Sequence, residues 1–401
     1  MIELQNQIRD YHWGTASQIT DELGLPRSIT PQAELWIGAH PGSPSCSLEG
    51  VSLAELIAAD PQGLLGADVA ERYGRLPFLF KVLSAAQPLS IQVHPTLQQA
   101  RAGYAAEQAA GVPDDAAHRN YKDDNHKPEM LYALTEFTAL SGFREPAAIV
   151  SDLRLLQGDL GQGGAATCQR LIELLEGEKP LAAALDFVLT AGEPVTVMLD
   201  EMLTAIEADP TLNEVARFAE MLRISTIYPS DPGILVSLLL NLVTLQPGQA
   251  ISLGAGNVHA YLRGLGIEVM ANSDNVLRGG LTSKHIDVPE LLKVTVATPA
   301  PAPLLEGESL GTGNRQFIPQ FSEFKLQVLD GIADGEQVDL QLHGGSILLC
   351  TQGRFSIRGA AGERVVERGQ SVFVPATELP LQASMLGAEP GRLFAASAQP
   401  A

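Results

Sequence analysis

Two histidines, one glutamate and one glutamine carry the strongest chemical signal in this sequence. Gln92-Val-His94 is a short pair, Glu129 follows 35 residues later, and His259 lies another 130 residues on. Two imidazoles and one carboxylate are a ligand set suited to catalytic zinc, bound at roughly 2.0–2.2 Å. A neutral glutamine oxygen would complete the cage without cancelling more of the metal's charge. With a single carboxylate the centre keeps net positive charge, which can polarise a hydroxyl or carbonyl oxygen. Spacing alone does not bring these residues together, and polar side chains satisfied in separate loops remain the alternative. Four cations fall in the same segments: Lys81, Lys127, Arg278 and Lys284. Arginine and lysine in a pocket suit a phosphate-bearing ligand; ordinary surface charge is the competing reading.

The elements that must position these groups follow from pattern. Leu253-Gly-Ala-Gly-Asn-Val-His-Ala-Tyr-Leu-Arg-Gly-Leu-Gly-Ile-Glu-Val-Met-Ala-Asn-Ser-Asp-Asn-Val-Leu-Arg278 gathers His259, Tyr261, Glu268, Asp274 and Arg278. Its glycines and β-formers predict a hairpin turning at Arg263–Gly266, with His259 and Tyr261 on one face and Glu268, Met270 and Asn272 on another. Leu89-Ser-Ile-Gln-Val-His-Pro95 reads as a strand with Ser90, Gln92 and His94 on one face. Pro95 ends it, and Thr96 can cap a helix from Leu97 to about Ala110. The charged loop Tyr121–Glu129 feeds an apolar strand and so is expected at a pocket mouth. A helix over 51–73, a strand over Leu76–Leu83 and a buried helix over Ile234–Leu245 complete the frame. Trp36 reads as core packing; His40 is open between core and site.

Texture divides the chain. Alternation gives way to helical spacing over 146–245. Pro299-Ala-Pro-Ala-Pro303 reads as a linker, and short strands at regular spacing follow it. That last region holds one histidine, His343, and is expected to be structural. The expected class is mainly β, with domains at 1–145 plus 246–300, 146–245 and 301–401. At 401 residues the chain can support several cores. Its 26 basic and 47 acidic residues, net −21, argue against nucleic acid and anionic membrane as partners. Three scattered cysteines, no signal-peptide pattern and no apolar run of membrane length point to a cytoplasmic protein.

Long strings add what spacing does not. Tyr121-Lys-Asp-Asp-Asn-His-Lys-Pro-Glu129 and the stretch from His259 to Arg278 resemble the two signatures of type I mannose-6-phosphate isomerases. Ile91-Gln-Val-His-Pro95, Glu34-Leu-Trp-Ile-Gly-Ala-His-Pro41 and Tyr228-Pro-Ser-Asp-Pro-Gly233 fit the same family, in order, to about residue 300. The resemblance implies a cupin-type jelly-roll catalytic domain, an inserted helical domain and a second, C-terminal cupin-like domain. It implies one Zn²⁺ per chain on Gln92, His94, Glu129 and His259, with Lys127, Glu268 and Arg278 in the active site and Ser90 and Lys81 near the phosphate. One departure stands out: Ser283 precedes Lys284 where the family commonly has proline.

The implied reaction interconverts mannose 6-phosphate and fructose 6-phosphate through a cis-enediol(ate), in a monomer serving mannose metabolism. Glu268, His126 and Asp274 are each plausible proton carriers, and Lys127 could aid ring opening or bind phosphate. An isomerase of an unphosphorylated sugar and a non-catalytic sugar-binding cupin are the alternatives. The first would have been favoured by loss of Lys81, Ser90 and Lys127, the second by a broken ligand set or a missing Arg278. An iron-dependent redox cupin is weaker, having no role for Gln92 or the cations.

Overall fold

The structure, a computed structural model, describes residues 1–401. Its long central strand, His259–Ala271, is the axis of an eleven-stranded antiparallel sheet. The expected hairpin does not form. A β-bulge at Leu262 shifts register between Tyr261 and Arg263, and Gly264 adopts φ +127° with the side chain of Phe137 pressed against its Cα. Bulge and glycine together bend one strand where a turn was anticipated. The first half pairs with Phe137–Phe143 and Gln92–Val93, the second with Phe78–Ala85 and Glu129–Ala133. The extra residue also flips the alternation, so Tyr261 and Glu268 look into the same interior.

A second sheet of eight strands lies across the first. Its inner side chains, including Phe324, Ile347, Phe373 and Phe394, share one core with Phe78, Phe80, Met130 and Val269. Ile2–Gln5, at the very start of the chain, pairs with Ser371–Val374 in this sheet. A four-stranded sheet packs on its far side. Helix and strand contents are nearly equal, 30% and 31%, so the expectation of a mainly β chain describes the scaffold rather than the whole.

Seven helices, from Pro146–Gln157 to Gly233–Leu239, form a separate layer with its own 38-residue core, into which Ile91, Val93, Leu277 and Leu281 reach from the sheet side. The expected helix over Ile234–Leu245 stops at Leu239, and Leu240–Leu245 is a strand on Phe137–Phe143. Its β-branched Val243 and Thr244 suit that pairing. The expected helix over 51–73 is three short ones, interrupted at Pro61 and Gly66. The strand placed over Leu76–Leu83 runs Phe78–Ala85. Thr96 does cap Leu97–Ala109, in a reciprocal box with Gln99. The proline-rich stretch is no free linker: Ala300 is hydrogen-bonded to Phe143 and Asn241, and Leu304–Leu305 pairs with Ala250–Leu253.

Candidate metal centre and cleft

Period-two alternation places Gln92 and His94 together, because Ile91 and Val93 are fully buried on the opposite face against the helical layer. Gln92 pairs with His259 in register on one side and with Arg278 on the other. Glu129 opens the neighbouring strand. Ligand atoms of His94, Glu129 and His259 lie within 4.8 Å of one another, all buried. Each imidazole Nε2 is 3.3 Å from a Glu129 oxygen. The Gln92 amide is 3.3 Å from His259 Nε2, and half a turn about its last bond presents the amide oxygen there instead.

Hydrogen bonds on the far side of each ring decide what the near side can do. His94 Nδ1–H donates to the Asn275 carbonyl at 2.8 Å, and His259 Nδ1–H donates to the Asn257 carbonyl at 3.0 Å. In its neutral form each ring therefore turns an Nε2 lone pair toward the Glu129 carboxylate. His94 Nε2 and Glu129 Oε2 are buried with no hydrogen-bond donor. Burial, followed by the nearby Lys127 charge, holds His94 down to about 4, so it is neutral at pH 7. Burial alone would raise Glu129, but Lys127 and the imidazoles overcome it and keep the carboxyl ionised. Apart from the Lys127 ammonium on one Glu129 oxygen, the neutral rings and the carboxylate turn lone pairs toward one another, and a cation among them would relieve the repulsion. The set fits zinc.

Asn275 ties this centre to the charged loop. Fully buried, it accepts from the Lys122 and Asp123 amides and donates to the Asp123 and Asn125 carbonyls, while its own carbonyl holds His94. The dense Asp and Asn in both segments was the sequence signal for this knot, and the sequence reading missed it.

The cations divide into two kinds. Lys81 is buried 2.9 Å from Glu268 and 3.4 Å from Glu34, over the Trp36 ring; Lys127 lies against Glu129. Both are neutralised by carboxylates. Arg278 and Lys284 have no acidic partner, and burial lowers the pKa of each, Lys284 further through Arg278 and Lys122. With Ser90, Gln92, Tyr228 and Thr282 they line a cleft of about 420 Å³, a size suited to a small ligand. Gln92 belongs to both cleft and metal set, so the two adjoin. Lys81, expected at the phosphate end, instead sits in an ion-paired triad away from the cleft lining.

Glu268 is held above the usual carboxylate range by burial, against the pull of Lys81. The Tyr261 hydroxyl is buried without a hydrogen-bond partner, and burial with the charges of Glu268 and Glu129 pushes its pKa well above 10. It stays a donor at any working pH. The other two proton candidates lie differently. His126 Nε2 is bound to Glu323 at 2.6 Å, and Asp274 is mostly exposed, 3.6 Å from His40. His40 itself is buried edge-on to Trp36.

The chain is similar to known proteins along nearly its whole length. The sequence profile of the type I phosphomannose isomerase catalytic domain matches residues 1–146. Mannose-6-phosphate isomerase of Salmonella typhimurium is 40% identical over 393 residues, spanning 96% of this chain and 98% of the relative. The rat enzyme of the same name is 33% identical over 407 residues, with 92% of each chain covered. A solved zinc-bound mannose 6-phosphate isomerase superposes with a TM-score of 0.89 at 38% identity, covering 100% of this chain and 99% of that one.

Proposed function

The chain belongs to the type I mannose-6-phosphate isomerases, and from that premise we propose how its own residues carry out a zinc-dependent interconversion of mannose 6-phosphate and fructose 6-phosphate. The observation that carries the reading is a cluster of buried ligands, in which His94 Nε2 and Glu129 Oε2 meet no hydrogen-bond donor, beside a cleft with two unpaired cations. We assign zinc to Gln92, His94, Glu129 and His259. Bound there, zinc supplies a fixed positive charge that favours oxyanion character at the sugar's first two carbons.

Arg278 and Lys284 hold the phosphate, with Ser90 as a neutral donor at the same end. This anchors the substrate so that its first two carbons reach the interior. Glu268, whose proton affinity is raised, takes the C2 proton and returns it to C1. Tyr261, a permanent donor with an unmet hydrogen bond, stabilises the enediolate oxygen. Lys127 shares Glu129's charge and assists ring opening as a nearby acid. His126 and Asp274 shape the entrance, the first through Glu323 and the second beside His40.

In domain terms we read 1–145 plus 246–300 as a catalytic cupin, 146–245 as the insertion and 301–401 as a second cupin-like unit. We read the functional unit as a monomer. No single helix is long and apolar enough to cross a membrane. The unpaired cysteines support a reducing, cytoplasmic setting.

The test is turnover of mannose 6-phosphate by purified protein, before and after a chelator and after zinc is returned. Activity should vanish and recover. A fully zinc-loaded protein that fails to convert this substrate refutes the assignment.

A further inference from the structure

The cleft's two free cations sit on a segment with little regular structure. Leu277–Arg278 is a two-residue strand, and Gly279 to Lys284 follow without helix or sheet. Chain geometry here is unusual: Gly280 has φ +127°, and Leu281 is one of only two non-glycine residues with positive φ, at +53°. Something outside the segment must hold it.

The holder comes from the helical layer. Asp231 lies in the turn Tyr228–Gly233 and turns its carboxylate across the chain. Its Oδ1 accepts from the Leu281 amide at 3.0 Å and from Gly233 at 2.7 Å, and its Oδ2 accepts from the Thr282 amide at 3.1 Å. Beside it the two backbones cross at closest approach. A Cβ on Gly233 would lie 2.5 Å from the Leu281 nitrogen, and one on Gly280 would lie 2.4 Å from the Gly233 Cα. Tyr228 fastens the same turn to the Pro88 carbonyl at 3.0 Å, next to Ser90. Asp231 makes no ion pair with any lysine or arginine; its acceptor capacity goes to backbone amides.

We infer that Asp231 is a positioning residue: its carboxylate clamps residues 281–282 so that Arg278 and Lys284 hold one geometry toward the substrate's phosphate. This deepens the reading of the cleft as the phosphate end and rests on it. The helical layer thereby contributes to substrate binding without touching the reacting carbons.

Asp231→Asn tests this, because an amide nitrogen turned toward Leu281 or Thr282 opposes N–H with N–H. The expected result is a KM for mannose 6-phosphate raised about tenfold, a Ki for inorganic phosphate raised in parallel, and zinc content unchanged, with kcat reduced less than KM is raised. Gly233→Ala keeps the carboxylate but drives a methyl into the crossing, and should give the same KM shift; it decides the matter if the Asn variant does not fold. Unchanged KM and Ki in a folded variant overturn the inference. So does tighter phosphate binding, which would show that Asp231 acts by charge rather than by position. If inorganic phosphate fails to compete with the wild type, the phosphate reading itself falls and takes the clamp with it.

Discussion

Replacing Lys81 by methionine isolates the electrostatics of the buried triad. Methionine keeps the length of the apolar stem and removes the ammonium, together with its contact over the Trp36 ring. Glu268 and Glu34, 2.9 and 3.4 Å from it, are then left in the interior without their counter-ion. Removing one partner of a buried ion pair typically costs about 3–5 kcal/mol. The loss should depend on pH with a definite sign. Burial already holds Glu268 above its reference value of 4.5 while Lys81 pulls it down, so removing Lys81 raises it further. A carboxyl whose folded pKa exceeds its unfolded value contributes stability that is full below the unfolded pKa and is lost as pH rises through the folded one. Between the folded pKa of the wild type and that of the variant, the variant loses about 1.4 kcal/mol relative to the wild type per pH unit. The gap is therefore widest above the variant's folded pKa and narrows as pH falls from there to the wild type's. Urea midpoints of the zinc-stripped proteins, followed by the fluorescence of Trp13 and Trp36, measure it directly. A gap that is constant with pH, or wider in acid, would mean that Glu268 does not take up the proton and would sink its assignment as proton carrier.

Three further substitutions probe the centre and the cleft. Asn275→Ala leaves the backbone carbonyl that holds His94 but dissolves the knot with residues 122–125; zinc affinity, measured by competition with a chromophoric chelator, should fall about 10–100-fold, with activity returning at high zinc. Unchanged affinity would confine Asn275 to loop stability. Arg278→Ala and Lys284→Ala should each raise KM for mannose 6-phosphate about 10–100-fold, the worth of one charge-assisted contact. Steady-state kinetics beside zinc analysis check this, and a lowered zinc content would reassign the residue to the metal's surroundings.

How much of this was legible in the sequence depended on whether the deciding interaction was local. Gln92 and His94 could be placed on one face because Ile91 and Val93 occupy the other, and period two needs only neighbours. The box of Thr96 and Gln99 is equally local. The strand His259–Ala271 misled because its glycines carry turn chemistry, and only the pressure of Phe137 on Gly264 shows that they bend a strand. His126 stood among the candidate proton carriers, and its partner Glu323, 197 residues away, was out of reach of any local pattern. Asp231 stands in a turn whose own spacing is local, but the amides it grips are some fifty positions on.

The fate of the four cations shows why residue type alone does not identify a phosphate site. In a chain of net charge −21, a lysine is more apt to meet a carboxylate than a ligand, and Lys81 and Lys127 both do. A neutralised cation offers an anion little attraction, since the field it would use already ends on a glutamate. What separates Arg278 and Lys284 is the lack of any acidic partner, although burial disfavours their charge. An unpaired, partly desolvated cation is raised in free energy, and a phosphate relieves that cost on binding. The acidic exterior adds discrimination: anions are repelled in general, and the one that binds must match two fixed cations at once. Capture then depends on geometry more than on net field, which is why the backbone clamp on residues 281–282 belongs to the same argument as the charges it positions.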